Sequence, residues 1–96
     1  MPAYVIADIE VSDPGKYEGY RALSPGAIAA YGGRFLSRGG NMHALEGNWT
    51  PSRVVIVEFP TAEQAQKFYD SPEYRAARAA RAGATNRFNM IVVEGV

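Results

Sequence analysis

The sequence predicts an α+β fold, a four-stranded antiparallel sheet with two helices on one face, from three observations. Apolar residues alternate over Ala3–Val11 and again over Phe88–Val93, and Val54–Val57 is a β-branched run, so three segments read as strands. Between them the apolar period becomes that of a helix, from Tyr17 to Tyr31 and from Ala65 to Tyr69. A short strand after the first helix completes the order β-α-β-β-α-β, for which right-handed crossovers favour a ferredoxin-like split βαβ sheet.

The first strand places Ala3, Val5, Ala7, Ile9 and Val11 on one side and the mixed set Tyr4, Ile6, Asp8 and Glu10 on the other. Asp13 then caps a helix with Pro14 in its first position, where the missing N–H has no partner to lose. The stripe of this helix is Tyr17, Tyr20, Leu23, Ala27, Ile28 and Tyr31, with a break expected at Ser24-Pro25; Gly32-Gly33 ends it. After the strand Arg34–Arg38, Gly39-Gly40 bends the chain, Met42–Leu45 is expected to continue the strand past a bulge, and the turn-rich EGNWTPS reverses direction. Glu58, Phe59 and Pro60 close the third strand.

Thr61 and Gln64 form a Thr-x-x-Gln capping box for the second helix, whose apolar stripe is Ala65, Phe68 and Tyr69. Ser71-Pro72 interrupts that helix and caps a second piece reaching about Ala82. Residues 83–86 are the expected connection to the last strand, where Phe88, Met90 and Val92 alternate with Asn89, Ile91 and Val93. The halves repeat in outline: Asp13 and Thr61 cap, Tyr20 and Phe68 share a stripe position, and each helix carries a Ser-Pro pair.

The 96 residues form one domain, 1–96. Ten Lys and Arg balance ten Asp and Glu, leaving no excess of charge for a nucleic-acid backbone or an anionic membrane. Cysteine is absent, the N-terminus lacks signal-peptide features, and no apolar run approaches ~20 residues, so a cytoplasmic protein outside the membrane is expected. Two helices cannot cover two sheet faces. Strands one, three and four are apolar on both sides, which predicts a two-fold homodimer through the face opposite the helices.

YGGRFLSRGG at 31–40, with Leu45-Glu46-Gly47, Trp49, Arg53, Glu58-Phe59-Pro60 and Ser71-Pro72-Glu73-Tyr74, resembles the family called domain of unknown function 1330. The resemblance runs nearly end to end, from Tyr4 and Asp13-Pro14 through Tyr20 to Glu94-Gly95. It implies a dimeric α/β barrel. That superfamily includes cofactor-free monooxygenases, lactone isomerases and ligand binders, so the resemblance implies no single reaction.

Glu58 closes an apolar strand on the side of Val54 and Ile56, where burial would suit it to general-base work and an ion pair with Arg38 or Arg53 would make it structural. Arg38, beside Gly39-Gly40, offers a guanidinium to a carboxylate ligand, although the two glycines also suit a bulge. His43 is the only histidine; it is a candidate proton carrier or an exposed hairpin residue, and no metal site can be built around it alone. Tyr17, Tyr20, Tyr31, Phe68, Tyr69 and Tyr74 are candidate cavity walls, alternatively serving as core, and Trp49 is a candidate rim of a pocket or of the dimer seam. Arg75, Arg78 and Arg81 drift round their helix and read as a solvated face from which Arg81 alone can turn inward. The resulting expectation is a homodimer binding a small organic acid or aromatic metabolite without a cofactor: Arg38 anchors it, Glu58 or His43 moves a proton, and Tyr20, Tyr69 and Trp49 shape the pocket. The alternative is a noncatalytic ligand-sensing or structural dimer.

Overall fold

The computed structural model describes residues 1–96 and runs β1 (Ala3–Val11), α1 (Pro14–Ala30), β2 (Arg34–Arg38), β3 (Arg53–Phe59), α2 (Ala62–Asp70), α3 (Pro72–Ala80) and β4 (Thr85–Glu94). All neighbouring strands are antiparallel, in the order β2-β3-β1-β4, which is the ferredoxin-like arrangement. Ala3, Val5, Ala7 and Ile9 of β1 and Val57 and Phe59 of β3 are buried beneath the helices. Tyr17, Tyr20, Ala27 and Ile28 of α1 meet them from above, with Ala65 and Phe68 of α2 and Tyr74 and Ala77 of α3. Phe68 sits between Phe59 and Tyr74, at ring-centroid distances of 5.0 and 4.3 Å. Each of the larger buried side chains, such as Ile9, Phe59 and Phe68, contributes about 1.5–3 kcal/mol.

Local signals act as expected at the helix starts, where Asp13 accepts from the Lys16 N–H and Thr61 from the Gln64 N–H, each at 3.1 Å. Gly32 takes the left-handed conformation, φ 80°, that ends α1. The two Ser-Pro pairs part company. Ser71 is extended, its hydroxyl donating to the Phe68 carbonyl at 2.7 Å and accepting from the Tyr74 N–H at 3.0 Å, and it separates α2 from α3. The break expected at Ser24-Pro25 does not occur, and α1 is continuous through Pro25. Buried Tyr17, Tyr20 and Ser24 before the proline and Ala27 and Ile28 after it lie on one packed stripe, which holds the helix together across the lost hydrogen bond.

Three strand boundaries also differ. β2 has its irregularity between Phe35 and Ser37, not at Gly39-Gly40. Met42–Leu45 does not continue it: residues 39–52 carry no strand and are almost wholly exposed. β4 begins at Thr85, inside the expected connection, because Thr85 pairs with Val11 across a register shift and Asn86 bonds Glu10 at 3.1 Å.

The opposite face of the sheet carries Tyr4, Ile6, Val54, Ile56, Ile91 and Val93, with Ile6 registered against both Ile56 and Ile91. No helix covers it, and Ile91 is 59% exposed. No helix is long and apolar enough to cross a membrane.

Candidate functional site

The cap at Ser71 starts α3 so that Tyr74, Ala77, Arg78 and Arg81, at spacings of three and four, face the interior. Tyr74 is fully buried, and its hydroxyl lies 2.7 Å from that of Tyr20 on α1. Arg81 caps the C-terminus of α3, where the helix dipole favours a cation, and its guanidinium stacks on Phe88 at 3.7 Å with Tyr20 at 5.3 Å. Arg78 stacks on Tyr69 at 4.3 Å and reaches Tyr74 at 5.7 Å. The result is one continuous layer, Tyr69, Arg78, Tyr74, Tyr20, Arg81, Phe88.

Neither cation in this layer has an acidic partner. The ion pairs of the chain are Glu18–Arg21, Glu58–Arg34, and Arg87 with Asp8 and Glu10. The Nε atoms of Arg78 and Arg81 are buried and make no hydrogen bond. A buried donor left in this state costs about 1–3 kcal/mol, which a bound acceptor would recover.

Beside this layer a cleft of about 470 Å³ opens between α2, the end of α3 and the edge strand β4. Ala65, Phe68, Tyr69, Phe88 and Met90 supply apolar wall; Arg81, Gln66 and Asn89 supply the polar positions. The volume is that of a small-ligand site. No Asp, Glu or His lines it. Burial, reinforced by the Tyr74 hydroxyl, raises the Tyr20 phenol far above its usual range. Burial also raises Tyr74, against the hydrogen bond from Tyr20 and the charge of Arg81. Both phenols are therefore protonated at neutral pH. One proton joins the two oxygens. The arrangement can bind and stabilise negative charge, and it supplies no base.

The six expected site residues do not share one pocket within the chain. Tyr69 lines the cleft, and Tyr20 stands behind it with Arg81. Arg38 joins Tyr20 along a separate, narrow crevice of about 30 Å³. Glu58 is on the opposite face of the sheet, bonded at 2.7 Å to Arg34, its register partner, and not to Arg38 or Arg53. His43 and Trp49 belong to the 39–52 segment and line a concavity of about 670 Å³ over Val54 and Ile56, again on the opposite face. The Trp49 indole donates to Asp8 at 3.2 Å. Nowhere do three His, Asp or Glu side chains converge as metal ligands would. Sequence reasoning named Tyr74 only as one of six aromatic walls or core residues and read Arg78 as solvated, whereas Arg78 turns onto Tyr69 and Tyr74. Their signal was Arg78 and Arg81 recurring four and seven residues after a tyrosine, on the side of the helix that also carries Ala77.

A family model, Domain of unknown function (DUF1330), matches residues 2–96. The chain belongs to this family. DUF1330 membership agrees with the solved structures to which the chain is similar, all below 25% identity, so that they establish the fold. A protein of unknown function from Rhodopseudomonas palustris matches with TM-score 0.76 and 20% identity, over 99% of this chain and 82% of that one. A dimeric ferredoxin-like protein of unknown function from Thermobifida fusca matches with TM-score 0.67 and 21% identity, over 97% and 90%. SnoaB, a cofactor-independent oxygenase from Streptomyces nogalater, matches with TM-score 0.69 and 14% identity, over 99% and 93%. No curated protein matches this DUF1330 chain in sequence.

Proposed function

We propose that the protein is a homodimer in which each subunit binds a small organic acid with an aromatic or apolar body in the cleft between α2, α3 and β4. The observation that carries this reading is Arg81: a guanidinium at the polar end of an otherwise apolar cleft, with a buried Nε and no acidic partner. The carboxylate meets Arg81, the Tyr20–Tyr74 pair stands behind that guanidinium, and the apolar body lies on Phe88, Met90 and Tyr69. With no base in the cleft, the site serves binding, and any chemistry in it proceeds by stabilising charge on the ligand. The dimer reading rests on the uncovered apolar sheet face and on structural neighbours described as dimeric.

Benzoate, a planar acid with an aromatic body, is the probe. In calorimetric titration Arg81→Gln weakens its binding by roughly 10- to 150-fold, the equivalent of about 1.5–3 kcal/mol for a hydrogen bond to a charged group. Glu58→Gln and His43→Ala, on the far side of the sheet, leave it unchanged. Undiminished binding by Arg81→Gln, or loss of binding in Glu58→Gln, overturns the assignment.

A further inference from the structure

Three arginine Nε atoms are buried without a hydrogen-bond partner; Arg81 lines the cleft, and Arg78 lies against Tyr69 in the layer beside it. The third belongs to Arg53, at the start of β3, on the side of the sheet that faces the helices. Its guanidinium lies over the Tyr17 ring at 6.0 Å and against the α-carbon of Gly39. Gly39 has φ +69°, and a Cβ there would overlap Arg53 Nη1, so both the backbone conformation and the seat of the guanidinium require glycine. Arg38, next in the chain to Gly39, stacks on Phe35 at 4.6 Å.

Arg53 and Arg38 line the same crevice, the narrow one of about 30 Å³ that runs between the helices and the sheet, together with Tyr17, Ser24 and Arg21, the last already paired with Glu18. No Asp or Glu lines it, and neither Arg53 nor Arg38 takes part in an ion pair. A buried nitrogen such as Arg53 Nε is ordinarily paired, and two like charges lining one opening repel. Two guanidinium forks, each held on an aromatic or backbone surface, offer the planar donor set that a carboxylate matches. The crevice is too narrow for more than a head group.

The geometry points to a second anion site, at the α1/β2–β3 end of the helix–sheet seam, where Arg53 and Arg38 together hold a compact carboxylate. It adjoins the Arg81 cleft through Val5, Phe68, Phe88 and Met90, which line both, but its two arginines are not those of the cleft, so each site can be tested alone.

The test uses the Arg81→Gln protein, which removes the first anion anchor, titrated with sodium acetate at constant ionic strength. The side-chain Nε–Hε resonances of the arginines are followed by NMR. Saturable shifts of Arg53 and Arg38 with one common Kd are expected, and that Kd rises at least tenfold when either Arg53→Gln or Arg38→Gln is added. Reading the resonances directly needs no further variant, and Arg38→Gln, at an exposed position, keeps the test open if Arg53→Gln unfolds. Shifts that grow linearly without saturation, shifts equally produced by chloride, or a Kd indifferent to Arg38→Gln each overturn the proposal. In none of these cases does the result touch the benzoate reading at Arg81.

Discussion

Replacing Tyr74 by phenylalanine deletes one of two hydroxyls that lie 2.7 Å apart, with Tyr20 7% exposed and Tyr74 not exposed at all. The variant loses the hydrogen bond and strands the remaining hydroxyl away from water, at a cost of about 1–3 kcal/mol; Tyr20→Phe costs about the same. Replacing both leaves two apolar rings of unchanged shape, a nearly neutral exchange. A double-mutant cycle is therefore expected to give a coupling of about 1–3 kcal/mol, with the double variant more stable than either single. Urea denaturation at fixed protein concentration measures it, and each kcal/mol lost corresponds to about 4–8 °C in Tm for a domain of this size. The pair also leaves a signature in pH. Both folded-state pKa values lie above the ordinary phenol value of 10.0, so the stability they contribute is whole below pH 10 and is lost as pH rises beyond it. Above that point the wild type loses up to about 1.4 kcal/mol per pH unit for each phenol, and the double variant loses correspondingly less. Additive single costs, or equal alkaline slopes in wild type and double variant, would refute the pairing.

Ile91→Glu places a charge on the uncovered face of the sheet, at a side chain 59% exposed in the single subunit. Sedimentation velocity is expected to show monomer, and a dimer that persists would exclude this face as the interface. Asp8 is held below its ordinary pKa of 3.8, first by the hydrogen bond from Trp49 and then by Arg87, against partial burial. The contact is therefore stable above that ordinary value and released as pH falls through the depressed one. Emission from Trp49, the only tryptophan, should change below pH 3.8, and Asp8→Asn should abolish that step; a midpoint at or above 3.8 would contradict the contact.

What could be read from the sequence was what neighbours along the chain decide. The alternation of Ala3 to Val11, the caps Asp13, Thr61 and Ser71, and the termination at Gly32 are local, and each stands in the structure as its residues suggest. Pro25 misled because its local preference for a break yields to burial of five residues on one stripe of α1, a tertiary effect. Arg38 and Arg53 were chosen for Glu58 by proximity in the hairpin, but the partner is fixed by register, and the register opposes Arg34 to Glu58. The Tyr20–Tyr74 contact joins positions 54 residues apart, and no spacing within either helix could disclose it.

The arrangement of charge ties these results to function. Over the whole chain, ten acidic and ten basic residues cancel, which argues against a nonspecific polyanion partner and says nothing about smaller ones. The acids are all excluded from the seam between helices and sheet: none lines the cleft or the crevice. Asp8, Glu10 and Glu58 instead occupy the opposite face, where each has a cationic partner. Arg81 and Arg53 remain at the two openings of the seam, with buried nitrogens and no counter-charge of their own. In so apolar a setting their field is poorly screened, and a small anion entering from water meets it at close range. A neutral protein thus pairs its charges on one face of the sheet and leaves unpaired arginines on the other, which is the asymmetry on which the proposed anion sites rest.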